Sequence, residues 1–176
     1  MWKLLSGIYL GITLGANDAA NIFGTAVTTN SIKFNTAIGL SAIFITLGAY
    51  LEGAAGIETL GTLADQTLMT AFISSLAAAL TMTLMTILKL PTSTSQAVVG
   101  GIIGSSLLHH SINFSPLVNI VLAWFFTPIG ALIIAYTLYK IYLNLLESYI
   151  KNISQFEYYV KLGLIISGIY GAYSLG

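Results

Sequence analysis

Apolar stretches long enough to cross a bilayer recur along this chain, at residues 4–27, 36–55, 67–88, 116–139 and 159–176. Stretches of this length span lipid as helices, in which every backbone N–H and C=O is satisfied within the segment. Only six basic and six acidic side chains occur among 176 residues, far below the roughly 25% charged residues of a soluble domain. The expected class is all-α, a multi-pass protein of the cell membrane with lipid around it. A cleaved signal peptide or a lone anchor does not account for apolar segments spread from end to end. Arginine and cysteine are absent and the formal net charge is zero. A nucleic-acid surface, a disulfide framework and a thiolate metal site therefore have no support.

The apolar pattern is interrupted in places that carry more information than the stretches themselves. Gly15-Ala16-Asn17-Asp18 falls near the middle of the first segment, which reads as a broken helix. From Pro91 the chain is polar through Thr92-Ser93-Thr94-Ser95-Gln96, then apolar and glycine-rich to residue 108, as in a half-helix or discontinuous span. Pro128 predicts a kink in the segment at 116–139. If successive segments each cross, Lys33, Lys89, Lys140 and Lys151 fall on one side. Glu58, Asp65 and His109-His110 then fall on the other, which predicts an external N-terminus.

The end of the chain resembles its beginning. Ser6-Gly7-Ile8-Tyr9 with Leu14-Gly15 reappears as Ser167-Gly168-Ile169-Tyr170 with Leu175-Gly176, at a constant offset of 161 residues. We read this as an internal repeat, with residues 1–160 forming one membrane repeat and residues 161–176 the first helix of an incomplete second one. The alternative is coincidence between two glycine-rich membrane helices.

Asp18 is the costliest residue in such a chain, because a carboxylate within an apolar span costs roughly 2.5–3.5 kcal/mol on insertion scales. On a helix, Asn17, Asn21 and Thr25 share one face with Asp18, forming a polar stripe. A carboxylate beside amide and hydroxyl oxygens suits Na⁺, with Asp18 and Asn21 as ligands and carbonyls freed by a break at Gly15 completing the shell. The plainer reading of Asp18 is a helix cap in a buried interface. In the second polar stretch, Pro91 suits a first helical turn, leaving the hydroxyls and amides of Thr92 to Gln96 at a helix N-terminus where an oxyanion is favoured. Serine and threonine also pack membrane helices, and the Gly100 to Gly104 spacing reads as packing. Glu52 is a candidate cavity residue, Glu58 a solvated loop residue, and the aromatic residues interfacial anchors.

These two stretches resemble the signatures of the inorganic phosphate transporter (PiT) family. The first stands as Gly15-Ala16-Asn17-Asp18-Ala19-Ala20-Asn21 followed by Gly24-Thr25, and the second as Pro91-Thr92-Ser93-Thr94-Ser95-Gln96-Ala97-Val98-Val99-Gly100. Phe44, Gly48-Ala49, Leu51, Gly53 and Glu58-Thr59 are similar to the intervening helix, so the resemblance covers at least residues 6–106. It implies a fold of two inverted repeats, each with both motifs, and symport of inorganic phosphate with Na⁺ or H⁺. It also implies a shared site in which Asn17, Asp18, Asn21 and Thr25 face Ser93, Thr94, Ser95 and Gln96. One departure is Ile45, where many members carry glutamate; the nearest acid, Glu52, lies two helical turns on. The other is that one copy of each motif is present, which implies half of a transporter.

The expected function is therefore phosphate transport in company with a second half, which would be a continuing chain, a separate chain or an antiparallel copy. A sulfate permease of the same family and a truncated, non-transporting fragment are the alternatives. An enzyme is not expected, since no positioned nucleophile accompanies the histidines.

Overall fold

The structure, a computed structural model, describes residues 2–107, 112–149 and 152–176. His109, His110 and Lys151 lie outside the described residues. The main elements are α1 (Leu5–Thr28), α2 (Phe34–Leu51), α3 (Gly53–Gly61), α4 (Leu68–Ile87), α5 (Thr94–Leu107), α6 (Phe114–Tyr149) and α7 (Ile153–Leu175). Among the described residues, three helices have the length and apolar character to cross a membrane: α2, α4 and, within α6, Phe114–Asn144. The fold is all-α and multi-pass, as the apolar pattern requires.

The expected break in the first segment is absent, because α1 runs as one helix through Gly15, Ala16, Asn17 and Asp18. Glycine weakens a helix interior by about 1 kcal/mol relative to alanine but keeps its N–H, and the neighbouring Ala16, Ala19 and Ala20 are the best helix formers. No backbone carbonyl is freed there for a cation. The second expectation fares differently. α5 has 14 residues, about 21 Å at 1.5 Å per residue, too short for a hydrocarbon layer of about 30 Å. Pro91 precedes the helix instead of opening it. Ser93 is the residue before the first turn, and its Oγ accepts a long bond from Gln96 N at 3.4 Å.

Helices α1 and α4 end alike. Asn30 and Lys89 both take φ 57°, and in each case the next residue's N–H reaches back five positions: Ser31 N to Ala26 O at 2.9 Å, Leu90 N to Met85 O at 2.9 Å. This left-handed closure satisfies the last carbonyls and turns the chain sharply. One turn leads into α2 and the other into the extended run at 91–93.

Packing sets the directions. Ser75 Oγ donates to Ser6 Oγ at 2.6 Å and Tyr9 bonds Thr83 at 2.5 Å, so α1 and α4 run side by side in the same sense. α5 returns along α4, with Ser105 bonded to Ser74 at 2.8 Å and Thr94 beside Met82. α7 runs antiparallel to α1, placing Gly168 against Phe23 and Gly171 against Ile22. Lys33 and Lys89 therefore follow the same end of two parallel helices, while Glu58 and Asp65 lie at the other.

Close approach is made by particular glycines. A Cβ on Gly101 would fall 2.5 Å from Ser74 O, so α5 sits backbone to backbone on α4 only because Gly101 has no side chain. The spacing singled out in the sequence, Gly100 to Gly104, faces open space instead. Gly48 makes the corresponding contact with Tyr173 between α2 and α7. The first turns of α6 pack through Leu117, Ile120 and Trp124 on a cluster around Leu63, Val99 and Ile102.

Candidate functional site

The two polar stretches meet although 76 residues separate them. α1 contributes Asp18, whose side chain is 9% exposed, and Asn17, 8% exposed. Asn17 Nδ2 donates to Asp18 Oδ1 at 2.8 Å and to the Thr92 carbonyl at 2.6 Å. Thr94, in the first turn of α5, donates through Oγ1 to Asp18 Oδ2 at 2.7 Å. Each carboxylate oxygen thus accepts one bond, which offsets part of the cost of burying the charge and leaves lone pairs over. Asp18 is not a cap: it sits mid-helix and its partners are an amide and a hydroxyl.

These groups border a groove of about 830 Å³. Asp18 and Asn21 line it from α1, the run from Pro91 to Ser95 from the turn into α5, Gly56 and Leu60 from α3, and Ser174 and Leu175 from α7. Ser93 Oγ and Ser95 Oγ lie 3.0 Å apart on its wall, at the end of α5 where the first backbone N–H groups lack helical acceptors. The groove therefore has an acidic wall, Asp18, facing a wall of hydroxyls and a positive helix end. Asp18 is the one charged residue among its described lining.

Of the residues singled out in the sequence, Asp18, Asn21, Ser93, Thr94 and Ser95 line the groove, and Asn17, Thr25 and Gln96 do not. Asn17 lies behind the groove, spent on fixing Asp18 and Thr92. Thr25 lies about two turns beyond Asp18, exposed and outside the lining, and Gln96 is exposed outside it too. Met82, Gly56, Leu60, Ser174 and Leu175 were not foreseen. Two of these left a trace in the sequence: Leu175 is the repeat counterpart of Leu14, which also lines the groove, and Ser174 is that of Thr13, both bonding back to the carbonyl three residues earlier, Ser174 to Gly171 O at 3.0 Å and Thr13 to Leu10 O at 2.9 Å.

A coupling cation can be tested against the donors. The helix withholds the backbone carbonyls once expected from a break at Gly15, so α1 offers the Asp18 carboxylate and the Asn21 amide, and the facing non-helical run at 91–93 offers hydroxyl and carbonyl oxygens. One carboxylate with neutral oxygens fits a monovalent, hard cation. Among the described residues no cluster of three His, Asp or Glu side chains exists.

Comparison with known proteins agrees with this geometry. The Phosphate transporter family matches residues 14–173. The chain is 38% identical over 135 residues to a Methanocaldococcus jannaschii protein named "Putative phosphate permease", covering 76% of this chain and 44% of that one. It is 34% identical over 146 residues to the mouse sodium-dependent phosphate transporter 1, covering 73% of this chain and 21% of that one. It is 27% identical over 178 residues to the sulfate permease CysP of Bacillus subtilis, covering 98% of this chain and 50% of that one. The chain thus spans half or less of the length of these relatives. No solved structure matches it. With the family matched across nearly the whole length and both of its polar stretches facing one groove, this chain belongs to the Phosphate transporter family.

Proposed function

We propose that this chain forms one half of a transporter that moves inorganic phosphate by symport with Na⁺ or H⁺. The observation that carries the reading is the groove, in which Asp18 stands opposite the hydroxyls and helix end of residues 92–95. A phosphate anion placed against Ser93, Ser95 and the first N–H groups of α5 gains dipole and hydrogen-bond stabilisation. Its charge would be repelled by Asp18 unless a cation lay between them. Anion and cation therefore favour each other's binding, which is the physical basis of coupling. The relative named as sodium-dependent favours Na⁺ as that cation.

The repeat supports the half-transporter reading. Ser6 and its counterpart Ser167 bond to equivalent carbonyls, Lys3 O at 3.3 Å and Leu164 O at 3.2 Å. The two helices run antiparallel, as inverted copies related by a two-fold axis would. Gly168 receives Phe23, whereas its counterpart Gly7 faces open space. That open face is where a second unit's equivalent of Phe23 would lie.

Sulfate is the second reading, favoured by the similarity to a sulfate permease along 98% of this chain. Both ions are tetrahedral oxyanions, and hydroxyls with a helix end serve either. Uptake of labelled phosphate by the assembled protein, with sulfate as competitor, distinguishes them: weak competition by sulfate is expected, and strong competition would favour the second reading.

A further inference from the structure

A second polar cavity, of about 380 Å³, lies away from the groove, between the end of α1 and the start of α7. Thr29, Asn30 and Ser31 form one wall, and Phe156, Glu157, Val160 and Lys161 the other. Glu157 and Lys161 are one helical turn apart, the spacing at which opposite charges usually pair on a helix. No bond or ion pair joins either of them to another described residue; both face the cavity instead. Opposite them, Thr29 Oγ1 and Ser31 Oγ lie 3.0 Å apart.

The depth of this cavity in the membrane follows from its neighbour. α2 has the length and apolar character to cross a membrane and begins at Phe34, three residues after Ser31, which puts residues 29–31 at the boundary between hydrocarbon and water. Exposed Tyr158 and Tyr159 stand on the facing helix, the residue type enriched at that depth. A site at a membrane boundary that offers one cation, one anion and the Ser31 hydroxyl side by side is complementary to a zwitterion whose negative group is a phosphate.

We propose that this cavity binds the headgroup of a phosphatidylethanolamine lipid, its phosphate against Lys161 and the Ser31 hydroxyl and its ammonium against Glu157; the Thr29 hydroxyl is spent on the Thr25 carbonyl at 2.8 Å. The primary ammonium donates N–H groups to the carboxylate, which the trimethylammonium of phosphatidylcholine lacks. A choline headgroup is held by aromatic cages, and Phe156 is the single aromatic among the described lining residues. Phosphatidylglycerol offers Glu157 neutral hydroxyls but no cation, so the bond to the carboxylate is not assisted by opposite charge. The site is independent of the substrate groove and does not rest on phosphate being carried.

The test is retention of lipid by the purified protein in nanodiscs of equal phosphatidylethanolamine, phosphatidylcholine and phosphatidylglycerol, read by mass spectrometry after release. We expect enrichment of phosphatidylethanolamine over the other two by severalfold. Glu157→Gln should abolish that preference while phospholipid stays bound, and Lys161→Gln should lower all retained phospholipid. Both residues are exposed, so the variants should fold, and unchanged thermal unfolding would show that they do. Equal retention of the three lipids, or a preference unaltered in Glu157→Gln, would overturn the proposal. Displacement of the lipid by millimolar inorganic phosphate would also overturn it, by identifying the site as one for a soluble anion.

Discussion

Thr94 Oγ1 donates a hydrogen bond to Asp18 Oδ2 at 2.7 Å, joining the middle of α1 to the first turn of α5. The bond holds the family's two polar motifs at one depth in the membrane. It also holds the carboxylate, with Asn17 on its other oxygen, in the wall of the groove.

Asp18→Asn should abolish ion-coupled uptake and leave insertion and folding intact, because the change removes the charge and keeps the shape. Fluorescence-detected gel filtration would verify folding, and uptake with and without an ion gradient would verify the loss. Normal gradient-driven uptake by this variant would remove Asp18 from the cation site.

Ser93→Ala and Ser95→Ala should each weaken phosphate affinity. A hydrogen bond to a charged ligand contributes about 1.5–3 kcal/mol, which is roughly a tenfold to hundredfold change in Kd. Both hydroxyls are exposed on the groove wall, so thermal stability should move little. Unchanged affinity in both variants would return the segment to a packing role.

The two adjacent glycines of α5 should behave oppositely. Gly101→Ala forces a methyl against the backbone of Ser74, and overpacking of this kind costs about 1–3 kcal/mol. Gly100→Ala meets open space and should be neutral or slightly stabilising, as alanine is the better helix former. Thermal unfolding in detergent of the two variants compares them directly, and equal loss in both would contradict the α4–α5 packing.

The ends of the helices carry a sidedness that labelling can read. With single cysteines at Ser31 and at Thr62, a membrane-impermeant reagent should label the two from opposite faces, Ser31 from the lysine-rich cytoplasmic face. Labelling of each from both faces would mean that the chain inserts both ways and would favour an antiparallel pair of identical chains as the complete transporter.

The helical membrane class was legible in the sequence because scarce charge and long apolar runs leave few other solutions. The meeting of Asp18 with the run at 92–95 was legible too, since both are costly in lipid and had to meet something polar. What misled was local. Gly15 beside Asn17 and Asp18 suggested a break, but glycine keeps its N–H, and the helix continued at a cost of about 1 kcal/mol. The Gly100 to Gly104 spacing suggested a packing face, whereas the face that meets α4 carries Gly101, a choice set by the rotation of α5 about its axis. That rotation is fixed by the contacts of Ser105 with Ser74 and of Thr94 with Asp18, which pair residues 31 and 76 positions apart and leave no local pattern. Thr25 shared a helical face with Asp18, but it lies about two turns beyond it, past the end of the groove.

The central claim is that Asp18 and the hydroxyls facing it bind an oxyanion and a cation together. Its most direct test is uptake of labelled phosphate by proteoliposomes containing the assembled transporter, with an imposed inward gradient of Na⁺ or of protons, for the native protein and for Asp18→Asn. Uptake should rise with one of the two gradients in the native protein and fall to the level of empty liposomes in the variant. Uptake indifferent to both gradients, or equal in the two proteins, would contradict it.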